Sequence, residues 1–298
     1  MIPPKRLVLS GGGVKVIATV GALLHLEKLG YLKACREICG VSAGAWLGFL
    51  MAVGYPLRKI YTLVKELDFS VIRNVSTESI LGFPELFGID NGSKLSNFLD
   101  SLMRHVLQKD PAMTFADLQA AGGLTFRCWA TDLATQKPRE FSFQTTPSVK
   151  ILDALRCSMA LPLYFTPGLD PITGHLLGDG AIMANLPLCH LTPEEIQHSL
   201  SLAFVKSNDP EVTKNPSNVM QFTVSIMRCL TSSRMKKMME DYKDKILLIP
   251  VDEYPSWNFE LSREDRSMLI KRGREAAESW LANPPRNSHG VGLRRASI

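Results

Sequence analysis

Two strand-like runs in the first 54 residues each break at a glycine-rich turn and continue as an apolar helix. RLVLS (6–10) meets GGG and then VKVIATVGALLHLEKLG, where Val16, Val20, Leu23, Leu24 and Leu26 share a broad apolar face and Gly30 closes the helix. Arg36–Cys39 meets GVSAG (40–44) and then AWLGFLMAVG. A strand–helix–strand unit returns the second strand parallel to the first. The expected fold is therefore α/β with a largely parallel sheet. Both glycine turns then open at the same edge of that sheet, where its ligands bind.

The rest of the chain keeps alternating. Helices are expected over 56–67, 94–109 with Ser93 as cap, 114–122 with a Thr114/Asp117 capping box, 151–159, 218–243 and from Ser262 to about Leu281. LTFRCWATDL, REFSFQTTP, HLLGDG, SLSLAFVK and KILLIPV read as strands. Residues 68–92 have turn signals and weak periodicity, and read as a loop-rich excursion. No repeat or linker divides the 298 residues, so one domain is expected over 1–283. The basic tail 284–298 is expected to be disordered.

The net charge of +5 fits either an ordinary surface or attraction to an anionic one. Six cysteines are scattered without CxxC pairs or zinc-type spacing, which points to free thiols in a reducing compartment. The N-terminal run is too short in apolar length for a signal peptide. The longest weakly polar run, Gly40–Gly54, is short of a membrane span. The expectation is a cytoplasmic protein that meets membranes peripherally.

GxSxG places a serine hydroxyl at the tip of a tight strand-to-helix turn, which makes Ser42 a candidate nucleophile. Gly11, Gly12 and Gly13 can aim backbone N–H groups at one anion, either a phosphate or the oxyanion of acyl transfer. Neither nucleotide fingerprint fits this stretch. A purely structural turn is the competing reading. Two arrangements would activate Ser42. One is a Ser-His-Asp triad, for which His190 and His198 come late enough in the chain. The other is direct proton transfer to Asp179 in LLGDGA, where the bland reading is a DG turn. A carboxylate of ordinary pKa is a poor base for a hydroxyl. A dyad therefore needs a dry site and strong oxyanion donors.

In order, LVLSGGGVK, GVSAG, WATDL, ALRCSMALPLYFTP and GDGAIMANLP, with a terminal LIKRGREAAESWL helix, resemble the patatin-like phospholipase family over residues 5–282. The resemblance implies a three-layer α/β/α sandwich and a Ser-Asp dyad without histidine. Ser42 matches the nucleophile and Asp179 the aspartate of the DG[GA] motif. Gly11–Gly13 match the oxyanion loop, Lys15 the basic, supporting or anion-binding position after it, and Asn185 and Pro187 the N-x-P stretch. Where the family often has glycine after that basic residue, this chain has Val16. No cofactor or metal is implied, and no EF-hand calcium loop is visible.

The partner implied is a phospholipid or other acyl ester, not nucleic acid; the oligomeric state is open. Apolar residues in 68–92 either insert into lipid or tuck onto the core. Met220, Met227, Met235, Met238 and Met239 either line an acyl groove or pack in the core. Basic residues in SRMKKM and at Arg286, Arg294 and Arg295 either touch headgroups or stay solvated. Three functions compete: a lipid acyl hydrolase, a transferase or hydrolase acting on soluble esters with the same dyad, and a non-catalytic membrane- or protein-binding module.

Overall fold

The computed structural model describes residues 3–205, 215–216, 219–251, 254, 256 and 258–283. The tail 284–298, with Arg286, Arg294 and Arg295, lies outside the described residues, as do the side chains of Met220 and Arg234. The strands are β1 (Arg6–Leu9), β2 (Glu37–Val41), β3 (Gly88–Asp90), β4 (Thr125–Asp132), β5 (Lys137–Ser142), β6 (Leu163–Phe165), β7 (Gly168–Leu169), β8 (Leu176–Asp179), β9 (Ser199–Val205) and β10 (Ile246–Pro250). The helices are α1 (Val16–Lys28), α2 (Ala43–Ala52), α3 (Leu57–Glu66), α4 (Thr77–Leu81), α5 (Phe83–Leu86), α6 (Ser93–Ser101), α7 (Phe115–Ala120), α8 (Ile151–Ser158), α9 (Ala181–Ala184), α10 (Pro193–Gln197), α11 (Val219–Asp241) and α12 (Arg263–Ala282).

The central sheet runs β10-β9-β1-β2-β4-β8-β7, with β5 also paired to β4. β10, β9, β1, β2 and β4 are parallel; β5 and β8 lie antiparallel to β4. Strand residues alternate between two cores because successive side chains point to opposite faces. Leu7, Leu9, Ile38 and Phe126 bury with α1, α2, α3, α8 and α12, while Val8, Cys39, Val41 and Trp129 bury with Leu186, Leu188, Ile196 and Met238 on the other face. This is the expected three-layer arrangement. Met235 and Met239 are partly buried and pack against the second core, where Met238 is buried; Met239 also lines a cavity beside β10.

Three local expectations are corrected. The 68–92 excursion holds a 3-10 turn at Phe69–Ile72, α4, α5 and β3, pieces too short to show periodicity. Phe69 and Ile72 are buried there, but Leu81 is 75% and Phe87 53% exposed. The cap of α6 is Gly92 at φ 71°, not Ser93. Asp90 and Asn91 side chains already accept the Gly92 and Ser93 N–H groups, which leaves the Ser93 hydroxyl to accept from Asn74. The helix expected over 94–109 is α-helical only to Ser101 and continues as a π-helical turn, Leu102–Leu107. Among the thiols, Cys189 and Cys229 are exposed and the other four are buried.

Candidate active site

β1 and β2 are adjacent and in register, Leu9 opposite Gly40, so the turns after them open side by side. β2 runs straight into Ser42, which takes φ 54°, ψ −130° and caps α2. Positive φ in a non-glycine residue is costly, and it is what throws the side chain off the strand direction at the sheet edge. The chain turns here without a clash because position 44 is glycine: a Cβ there would lie 2.5 Å from the Ser10 carbonyl oxygen. α2 begins with no side-chain cap, so its first N–H groups and the positive end of its dipole face the Ser42 side.

Asp179 ends β8, which reaches the same edge from the opposite direction, with Ala130 of β4 across from it. Position 180 is likewise confined, since a Cβ there would lie 2.3 Å from the Trp129 carbonyl. The Ser42 hydroxyl donates to Asp179 Oδ2 at 2.6 Å. The other oxygen, Oδ1, accepts the Ala181 N–H at 2.8 Å. Asp179 is 1% exposed. Burial pushes its carboxyl up to about 6, against the smaller opposing pull of the Ser42 and Ala181 hydrogen bonds. A carboxylate with that pKa accepts a hydroxyl proton more readily than an ordinary one.

The glycine loop divides its labour. Gly11 donates its N–H to the Asn185 carbonyl at 2.9 Å, which corrects the expectation that all three glycines face the anion. Val14 donates to the Ser256 carbonyl at 3.1 Å. Among the described residues, the Gly12 and Gly13 N–H groups make no hydrogen bond and are available to an anion. Gly13 sits at φ 55°, and a Cβ on it would fall 1.8 Å from the Ser256 carbonyl oxygen; one on Gly12 would fall 2.4 Å from the Phe204 ring. Lys15 is buried beside the loop, with its backbone N–H on the Gly12 carbonyl. Val16 has ordinary helical torsions and lies in the core at the start of α1, so the loop accommodates valine there.

Among the described residues, no hydrogen bond of Ser42 or Asp179 involves a histidine. The His190 ring packs 5.5 Å from that of Trp129, and the His198 carbonyl accepts from Lys5 and Arg6 at the opposite end of β1. His175 pairs with Asp132, two residues past Ala130 along β4. A cavity of about 600 Å³ between β10 and α12, lined by Leu248, Arg272 and Trp280 among others, contains neither Ser42 nor Asp179. No group of three or more histidine, cysteine or carboxylate side chains suited to a metal occurs among the described residues. No helix among them is long and apolar enough to cross a membrane.

Sequence reasoning missed Ser158. Its hydroxyl accepts the Ser42 N–H at 3.0 Å and donates to the Trp129 carbonyl at 2.7 Å. A lone serine ending an apolar helix carries no signature, and a carbonyl acceptor has none at all.

A family model described as Patatin-like phospholipase matches residues 7–191. An uncharacterized protein of Acanthamoeba polyphaga mimivirus is 27% identical over 281 residues, covering 90% of this chain and 91% of its own. A probable lipid hydrolase of Invertebrate iridescent virus 6 is 25% identical over 184 residues, 62% of each chain. The crystal structure of VipD from Legionella pneumophila superposes with a TM-score of 0.63 at 20% identity, covering 95% of this chain and 67% of that one; this likeness speaks to the fold.

Proposed function

Since this chain belongs to the patatin-like phospholipase family, we propose that it hydrolyses fatty-acyl esters of phospholipids or lysophospholipids through Ser42 and Asp179. The observation that carries this is the 2.6 Å hydrogen bond from the Ser42 hydroxyl to a buried carboxylate. Asp179 Oδ2 takes the hydroxyl proton as Ser42 Oγ bonds to the ester carbonyl carbon. The Gly12 and Gly13 N–H groups receive the oxyanion, helped by the N-terminus of α2. As the tetrahedral centre collapses, the C–O bond to the alcohol breaks and that oxygen takes the proton from Asp179. Water then gives a proton to Asp179 and attacks the acyl-serine. Ser42 leaves with that proton, and the fatty acid is free. Dry surroundings and preset donors compensate for the weakness of aspartate as a base.

The bilayer contact belongs to the same reading. Val71, Ile80, Leu81, Leu86 and Phe87 are exposed on the 69–87 excursion. That excursion leads into β3, which pairs with β6 at Gly88–Leu163. β6 starts three residues after Ala160, whose carbonyl holds the Asp179 N–H at 2.9 Å. Exposed apolar side chains on a segment linked in this way to the strand after Ala160 suit contact with lipid.

The test is to incubate wild type and Ser42→Ala with mixed phospholipid vesicles, lysolipid and a soluble ester, and to measure released fatty acid by mass spectrometry. Wild type is expected to release acid and the variant none. Equal release by both, or none by a folded wild type from any of the three, overturns the proposal.

A further inference from the structure

The end of α8 touches both partners of the Ser42–Asp179 hydrogen bond without offering a group to substrate. Ser158 Oγ accepts the Ser42 N–H at 3.0 Å, and its own proton is committed to the Trp129 carbonyl at 2.7 Å. Trp129 lies across from Val41, the residue before Ser42. The Ser158 carbonyl accepts the Gly180 N–H at 3.4 Å, and the Ala160 carbonyl accepts the Asp179 N–H at 2.9 Å. Two residues, Ser158 and Ala160, therefore hold the backbone of the serine, of the aspartate and of the residue after the aspartate.

The Ser42 N–H needs such a partner. At φ 54° the residue has left the β2–β4 ladder, and as the cap of α2 it has no intrahelical acceptor. Ser158 is fully buried, so water does not replace its hydroxyl. The bond also has a fixed direction. With its hydrogen on Trp129, Ser158 can only accept from Ser42, so it serves neither as acid nor as oxyanion donor.

We propose that Ser158 is a positioning residue, which locks the strained Ser42 backbone so that Oγ stays within reach of Asp179. The kinetic part of this inference rests on the hydrolase reading above. A one-ångström misplacement of a reacting atom costs up to about a hundredfold in rate, and the cost falls on turnover when substrate contacts are intact.

The test compares Ser158→Thr with Ser158→Val. The two fill the same volume, and only threonine keeps the hydroxyl, so any packing penalty is shared. Two quantities are read: kcat and KM on a soluble ester, and hydrogen exchange of the Ser42 amide by NMR. The valine variant is expected to lose at least about tenfold in kcat relative to threonine, with KM within about twofold. Its Ser42 amide is expected to exchange at least about tenfold faster, while amides elsewhere in α2 stay protected. Valine matching threonine in both readouts overturns the proposal. If the wild type hydrolyses nothing, the hydrolase reading fails by itself, and amide exchange still decides whether Ser158 holds Ser42. Should both variants fold poorly, the same readouts on Ser158→Ala and Cys157→Ala apply. The buried Cys157 side chain bonds to the Leu169 carbonyl and takes no part in these contacts, so equal losses in both variants would also overturn the role.

Discussion

Asp179 on β8 sits across from Ala130 on β4, one residue beyond the level at which Val41 faces Trp129, so Ser42 and Asp179 reach one sheet edge on strands of opposite direction. The serine leaves a parallel strand through a strained turn. The aspartate arrives at the end of an antiparallel one and needs only a side-chain rotamer to meet it. The hydroxyl and carboxylate meet directly, 2.6 Å apart, with no imidazole between them.

In the proposed reaction, proton transfer to Asp179 sets the pH profile. The carboxyl must be ionised to act as base, and burial raises it to about 6. kcat/KM on a soluble ester is expected to fall as pH drops through about 6 and to be level above it. A midpoint that vanishes in His190→Ala or His198→Ala would assign the base to histidine instead.

The same burial affects stability. The carboxyl has a pKa of 3.8 when free and about 6 when folded, so the folded state holds its proton more tightly. Stability from this group is fully present below 3.8 and is lost as pH rises through about 6. Asp179→Asn is expected to abolish hydrolysis and to raise the unfolding free energy at pH 8. The upper bound is roughly 3 kcal/mol, with the gain disappearing near pH 4. Chemical denaturation at the two pH values checks it.

Gly12→Ala drives a Cβ toward the Phe204 ring, 2.4 Å away, and displaces the loop proposed to receive the oxyanion. Loss of one donor costs ~2.7–4 kcal/mol, so kcat is expected to fall about 10²–10³-fold. Phe204→Leu in the same chain should return part of the loss, because the two residues are in contact. Steady-state kinetics of the two single variants and the double variant measure that coupling.

Leu81 and Phe87 separate bilayer entry from chemistry. Leu81→Ser with Phe87→Ser is expected to lower vesicle sedimentation and fatty-acid release from vesicles at least about fivefold, each leucine- or phenylalanine-sized group being worth ~1.5–3 kcal/mol when buried in lipid. The rate on a soluble ester should stay within twofold. Parallel losses on both substrates would place these residues in folding and not in lipid contact.

Much of this architecture is legible in residues. Two glycine turns after parallel strands predict a shared edge, and GVSAG and GDG mark which residues arrive there. The direction of β8 is not legible, since LLGD looks alike in either orientation. Nor are the partners of the Gly11 and Val14 N–H groups, the carbonyls of Asn185 and Ser256, because every residue has a carbonyl. Ser158 escaped for a related reason: its role depends on a 116-residue separation that no local pattern encodes. The short helices in 68–92 escaped because four or five residues complete barely one period.

The stretch shared with the family model ends at residue 191, yet the glycine loop is braced by Phe204 and Ser256, which lie beyond it. The chemistry and its scaffolding thus have different addresses along the chain. A protein shortened to the shared stretch would carry Ser42 and Asp179 with its anion loop unlaced. A chimera that exchanges everything after residue 191 would exchange the lacing while leaving Ser42 and Asp179 in place, so the proposed turnover would be retuned from a region that contains neither of them.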